Sequence, residues 1–290
     1  MTRFFSWLFS LLALAAFFAL LLLFVWQSLP VLRAEGGSYV TENRWFFRQH
    51  QFGAAAMIYG SVVVSIIALM IAVPLGLGAA IGTAEYLPAR LRWVAKAFME
   101  LLAGIPSVVY GLLGILLLRN WVYDGFVAFE PLSGDTLLTA GLLLSIMVLP
   151  TIVTLGDDAL RAVSAKQRHA ARGLGLTHAE TILFITLPQA GKGLWAAILL
   201  GFGRAMGETI AVFLVVGRQD NQLPENLFSL SMLLEAGQTL TSKLGGAETN
   251  IAYGDPLHWA AITGLALLLL LITGLVTWLG SVFRRRSQDA

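Results

Sequence analysis

Residues 169–190 read HAARGLGLTHAETILFITLPQA. The stretch opens on small residues, turns at glycine, and continues as an amphipathic helix that Pro188 is expected to stop. That order spells a helix–turn–helix, a shape suited to docking. It is the longest polar interruption in the C-terminal half that still reads as helical, and long apolar segments flank it on both sides. The fold follows from where those segments lie, and the function from what docks on the stretch between them.

The apolar runs fall at about 4–26, 55–84, 97–118, 136–156, 193–217 and 258–283. Each is close to the ~20 residues that cross a bilayer. Ala13, Leu14 and Ala15 resemble a signal cleavage site, but the first run continues to Trp26. A signal core is about 7–15 residues, so this run reads as a retained helix. The composition agrees: 57% hydrophobic, 12% charged, mean hydropathy +0.77. A soluble domain carries about 25% charged residues. The whole chain, 1–290, reads as one all-α, polytopic membrane domain of six transmembrane helices, with residues 157–192 as a long connecting loop.

Six spans put both termini on one side. Twelve of the nineteen Lys and Arg fall on that side, among them Arg3, Arg90, Arg92, Lys96, Arg161, Lys166, Arg168, Arg172, Lys192 and the run Arg284, Arg285 and Arg286. Six fall opposite, and Arg204 lies within a span. The positive-inside rule makes both termini cytoplasmic and turns the acidic loops outward. Residues 27–52, with the cluster Arg44, Trp45, Phe46, Phe47 and Arg48, read as an interfacial segment at headgroup level. Residues 227–234 form an apolar patch suited to a short surface helix.

Two interruptions stand inside the spans. The segment GIPSVVYGLLG, residues 104–114, places Gly104, Pro106, Ser107 and Gly111 in one run and predicts a kinked or broken helix. Such breaks either serve packing or line a protein-walled path. Gly76, Gly78, Ala79, Ala80 and Gly82 after Pro74 suit a close helix–helix seam or a hinge. Arg204 and Glu208 lie inside the fifth span, where a central charge costs roughly 2.5–3.5 kcal/mol on insertion scales. At i and i+4 they share a helix face and either neutralise each other or line a watery path for an oxyanion.

Other chemistries lack their residues. The chain has no cysteine, so disulfides, thiolate catalysis and cysteine metal sites are excluded. Four histidines, His50, His169, His178 and His258, lack ligand spacing, and no metal site is expected. No G-x-x-x-x-G-K-[ST] phosphate cradle occurs, so no catalytic residue is assigned and this chain is not expected to hydrolyse ATP itself.

The docking stretch resembles the coupling loop of ATP-binding-cassette (ABC) importer permeases, which reads E-A-A, three residues, G, nine residues, I-x-L-P. Ala170, Ala171, Gly175, Ile185, Leu187 and Pro188 stand at those positions, with His169 where the family has Glu. Read physically, Gly173 and Gly175 allow the turn, and Leu174, Leu176, Ile182, Leu183 and Ile185 are apolar anchors for a groove. Four further segments are similar to the phosphate-specific permeases of that family, the PstC type. They are QFG at 51–53 with IYG at 58–60, IAVPLGLG at 71–78, GIPSVVYG at 104–111 and RAMGETIAV at 204–212. The resemblance implies a type I importer permease fold in the bacterial inner membrane that moves phosphate by alternating access. It implies a sister permease of the PstA type and two copies of a cytoplasmic ATPase of the PstB type that bind ATP and Mg. It also implies a periplasmic phosphate-binding protein of the PstS type, and that Arg204 and Glu208 matter for transport. The rivals are a permease for another oxyanion, such as sulfate or molybdate, and an ion-coupled secondary transporter with Glu208 as its proton site.

Overall fold

A computed structural model describes residues 2–223 and 230–286. Of the apolar patch at 227–234, residues 227–229 lie outside the described residues, and Leu230–Leu233 is one helical turn. The chain is helical apart from one small hairpin, β1 (Trp45–Phe46) paired antiparallel with β2 (Gln51–Phe52).

Five helices among the described residues are long and apolar enough to cross a membrane, and a bent pair makes a sixth crossing if it counts as one. The first is α1 (Thr2–Glu35), longer than the apolar run. It continues through Pro30 because Ser28 and Val31, both fully buried, bind that turn to the body of the protein. Gln27 accepts a 3.3 Å hydrogen bond from the Trp259 indole of the last helix, α9 (Pro256–Arg286). Much of the segment expected at headgroup level is core instead: Trp45 and Phe52 are buried with Val31 and Tyr39, although Phe46 remains exposed.

The central seam joins α2 (Ala55–Tyr86) to α5 (Leu137–Arg161). Gly60, Val64, Ala68, Ala72, Gly76, Ala80 and Ala84 are buried at every fourth position, a stripe of small side chains on one face. Facing it are Gly141, Leu144, Val148, Ile152 and Gly156. A Cβ on Gly76 would lie 2.8 Å from Ile152 Cγ2, and one on Gly141 would lie 2.6 Å from Ile67 Cγ2. Of the small residues after Pro74, Gly76 and Ala80 belong to this seam, while Gly78 and Gly82 face open space.

At the end of the bundle where α9 begins, Lys243, Asp220, Glu248 and His258 interlock. Lys243, 2% exposed, donates to Asp220 Oδ2 at 2.6 Å and pairs with Glu248. Glu248 also accepts from the Trp45 indole and lies 2.8 Å from His258 Nε2. Burial pushes the Glu248 carboxyl up, but hydrogen bonds from Lys243, Trp45 and His258 outweigh it and hold its pKa below the ordinary 4.5. A depressed carboxylate pKa adds stability that is complete above the unfolded value and is lost as pH falls through the folded one.

Two outcomes are expected. Gly141→Leu destabilises the protein by about 1–3 kcal/mol through overpacking against Ile67, read by thermal unfolding in detergent. Glu248→Gln lowers the melting temperature at neutral pH, and its difference from wild type shrinks once pH drops below 4.5.

Candidate functional site

The docking stretch folds as α6 (Ala165–Gly173), a turn, and α7 (His178–Gly207). Gly175 has φ +91°, a left-handed conformation that favours glycine, whereas Gly173 is an ordinary helical residue. Thr177 starts α7 with a capping box: its hydroxyl accepts the Glu180 N–H, and Glu180 Oε2 accepts the Thr177 N–H at 2.8 Å. Pro188 does not stop this helix. Residues Ile182–Thr186 form a π turn in which the Leu187 N–H reaches back to the Ile182 carbonyl. That wider turn accommodates the proline ring, which would otherwise strike the carbonyl four residues earlier.

Four contacts clamp the helix–turn–helix to the ends of α2 and α5. Arg168 pairs with Glu85, whose side chain is only 4% exposed, and also donates to the Leu160 carbonyl. Arg172 donates to His178 Nδ1 at 2.8 Å, which leaves Nε2–H facing the Glu85 carbonyl at 3.3 Å. The Tyr86 ring meets His178 edge-on at 5.2 Å. Outside this clamp, His169, Ala170, Gly175 and Pro188 are exposed, Ile185 and Leu187 are half-buried, and Ala171 is buried. Leu174 and Leu183 stand out as exposed apolar groups, while Ile182 turns inward.

Two helices are broken at depth. The first break lies between α3 (Ala89–Gly104) and α4 (Ser107–Gly125), which meet at 88°. Pro106 forces Ile105 into an extended conformation, ψ 129°, so the helix cannot run on. Tyr110 Oη donates to the Leu102 carbonyl at 2.8 Å across the bend. The second break separates α7 from α8 (Ile210–Val215). Glu208 is extended, ψ 123°, and Thr209 precedes the new helix. The fifth run is therefore two helices, and Arg204 and Glu208 do not share a face as i and i+4 partners.

Arg204 and Glu208 look into different spaces. Arg204 is exposed and lines a 510 Å³ cleft with Leu199, Leu200 and Gly203 of α7 and Thr277 and Ser281 of α9. It makes no hydrogen bond or ion pair among the described residues, although its charge acts on the Tyr110 hydroxyl. Glu208 Oε1 accepts the Ala211 N–H at 3.3 Å, capping α8. It borders a small polar pocket with Ser61, Ser65, Thr239 and Thr241, all buried. Sequence reasoning passed over these four hydroxyls; the only signal was Ser61 and Ser65, four residues apart inside an apolar run.

The two breaks touch. A Cβ on Gly111 would lie 2.5 Å from Leu214 Cδ1 and 3.1 Å from Ala211 Cα, so α4 and α8 pack backbone to backbone. Of the other proline-span residues, Gly104 and Pro106 are exposed and Ser107 is half-buried at the start of α4.

Residues 72–288 match the family described as binding-protein-dependent transport system inner membrane component. The phosphate transport system permease protein PstC of Pasteurella multocida is 36% identical over 95% of this chain and 87% of its own length. The PstC of Mesorhizobium japonicum is 35% identical over 87% of this chain and 78% of its own. The chain belongs to the PstC-type permeases of that family. As a PstC-type permease it is a multi-pass membrane subunit of an ABC transporter. Its fold agrees with solved ABC transporters. A structure of the MetNI methionine ABC transporter gives a TM-score of 0.58 over 79% of this chain and 93% of that one, at 15% identity. A bacterial transporter involved in the import of alginate gives 0.52 over 94% and 95%, at 14% identity. At those identities the likeness is one of fold.

The clamp makes a direct prediction. Arg168→Ala leaves Glu85 buried and uncompensated, which costs about 3–5 kcal/mol. Limited proteolysis is expected to cut faster within residues 173–177, and the melting temperature to fall.

Proposed function

We propose that this chain is the permease through which an ATP-driven importer moves inorganic phosphate across the bacterial inner membrane by alternating access. The observation that carries the reading is Arg204. It is a permanent cation on a broken membrane helix, exposed and without an ion-pair partner among the described residues. An arginine left unpaired in a span is costly unless water or an anion meets it. Its planar fork suits a tetrahedral oxyanion. The relatives named as phosphate permeases supply the substrate.

In this reading the side with more basic residues is cytoplasmic, together with both termini and the helix–turn–helix. A cytoplasmic ATPase pair of the PstB type, holding ATP and Mg, seats on His169, Ala170, Ala171, Gly175, Ile185, Leu187 and Pro188. Leu174 and Leu183 are its exposed apolar anchors. A sister permease of the PstA type completes the path, and a phosphate-binding protein of the PstS type delivers the anion from outside. Closure of the ATPase pair pulls on α6 and the start of α7. The Arg168–Glu85 clamp passes that pull to α2, and α7 carries it to the break at Glu208. Gly104, Pro106, Ser107 and Gly111 let α4 follow α8. Arg204 holds the anion briefly, without covalent chemistry, and weak binding allows release.

Arg204→Gln is expected to reduce ATP-driven phosphate uptake to background while the complex assembles in normal amount. Arg204→Lys keeps the charge but loses the fork, and is expected to retain a small fraction of uptake. Uptake of labelled phosphate by the reconstituted transporter reads both. Normal uptake by an assembled Arg204→Gln variant would remove this residue from the path.

A further inference from the structure

Asp157 is a buried carboxylate that the transport path and the clamp leave unused. Its side chain is 6% exposed, and neither oxygen has a hydrogen-bond partner. The nearest cation, Arg161 Nη1, stands 3.9 Å from Oδ2, beyond hydrogen-bond reach. A buried carboxylate that accepts no hydrogen bond and meets one cation only at the edge of ion-pair range is poorly satisfied, so the arrangement calls for a closer partner in another state.

The candidates lie on α3. Arg92 and Lys96, one turn apart on the same face, line a small pocket with Asp157, Thr83 and Thr154. Arg92 is committed: it donates to the carbonyls of Thr83 at 2.8 Å, Ala84 at 3.2 Å and Leu87 at 2.9 Å. Lys96 is not. It holds Asp158 Oδ1 at 2.9 Å, an exposed pair near the surface, while the Asp157 charge also acts on it. Asp157 and Asp158 are consecutive on α5, so one acid faces inward and the next outward. The helix that carries Lys96 has no buried residue and ends at the 88° bend, so side-chain packing does little to fix it.

We propose that Asp157 is the second seat for Lys96, so that α3 and α5 form a two-position latch. Lys96 sits on Asp158 in this conformation and on Asp157 in the other state of the transport cycle. Asp157 is a positioning residue: it meets no substrate, and acts by setting where α3 stands and hence how the bend before α4 is held. The pocket has room for about one water-sized group, which suits an arriving ammonium. The proposal rests on the alternating-access reading, but its test reads a distance rather than transport, so the two can fail separately.

The chain has no cysteine, which makes site-directed labelling clean. Spin labels at Arg90→Cys and Ala162→Cys, both exposed positions flanking the seam, are placed in the whole transporter with cysteine-free partner subunits. Pulsed EPR is then recorded without nucleotide and with ATP plus vanadate. Two distance populations that exchange with nucleotide are expected. Asp157→Asn should keep only one population in both conditions and lower uptake about tenfold, whereas Asp157→Glu should restore both. If Asp157→Asn does not assemble, Lys96→Gln reads the same latch from its exposed side and should abolish the exchange. A single distance that nucleotide does not move, or both populations surviving in Asp157→Asn or Lys96→Gln, would overturn the latch.

Discussion

Glycine at 111 lets α4 and α8 meet with almost no side chain between them, Leu214 and Ala211 filling the space a Cβ would need. Gly114 does the same against Val215 one turn on. The rest of the structure depends on this contact, because a membrane tolerates interrupted helices only where protein covers the freed backbone. The extended residues Ile105 and Glu208 each cost backbone hydrogen bonds. The Tyr110 hydroxyl on the Leu102 carbonyl and the Glu208 carboxylate on the Ala211 N–H repay part of that cost. Two breaks packed on each other are mechanically linked, so a pull on α7 is felt at α4.

The seam between α2 and α5 is a rigid body on which a pull at Glu85 would act. Its stripe of glycine and alanine buries little volume per residue but brings two backbones close over most of the membrane depth. The helix–turn–helix is tied to one end of this frame through Glu85. The polar cluster of Asp220, Lys243, Glu248 and His258 locks the opposite end. Between these two anchored ends lies α3, which has no buried residue, whereas α8 sits in the core through Ala211, Val212 and Val215. The division places motion where burial is sparse and rigidity where charges and small residues interlock.

Much of this was legible in the chain. Apolar runs announced the crossings, and Pro106 announced the first break because a proline disfavours helix at the residue before it. The second break was hidden. Nothing between Arg204 and Thr209 forbids a helix except Gly207, so spacing alone suggested an i, i+4 pair that the extended Glu208 undoes. Pro188 misled in the other direction, since a π turn carries the helix past it. Helix ends were also misread: α1 passes Pro30 because packing of Ser28 and Val31 outweighs a lost hydrogen bond. The cluster around Lys243 was out of reach, because Trp45 and Glu248 lie 203 residues apart in sequence. The spacing of the docking stretch, by contrast, survived intact as a solvent-facing turn on a clamped base.

In the mechanism proposed above, nucleotide hydrolysis by a separate subunit drives phosphate past Arg204. The most direct measurement is labelled phosphate uptake by vesicles holding this chain with its sister permease and ATPase, with binding protein outside and ATP inside. In that mechanism, uptake is expected to require ATP, to ignore a proton gradient, and to be unmoved by excess sulfate or molybdate. Uptake driven by a proton gradient in vesicles lacking the ATPase would contradict it.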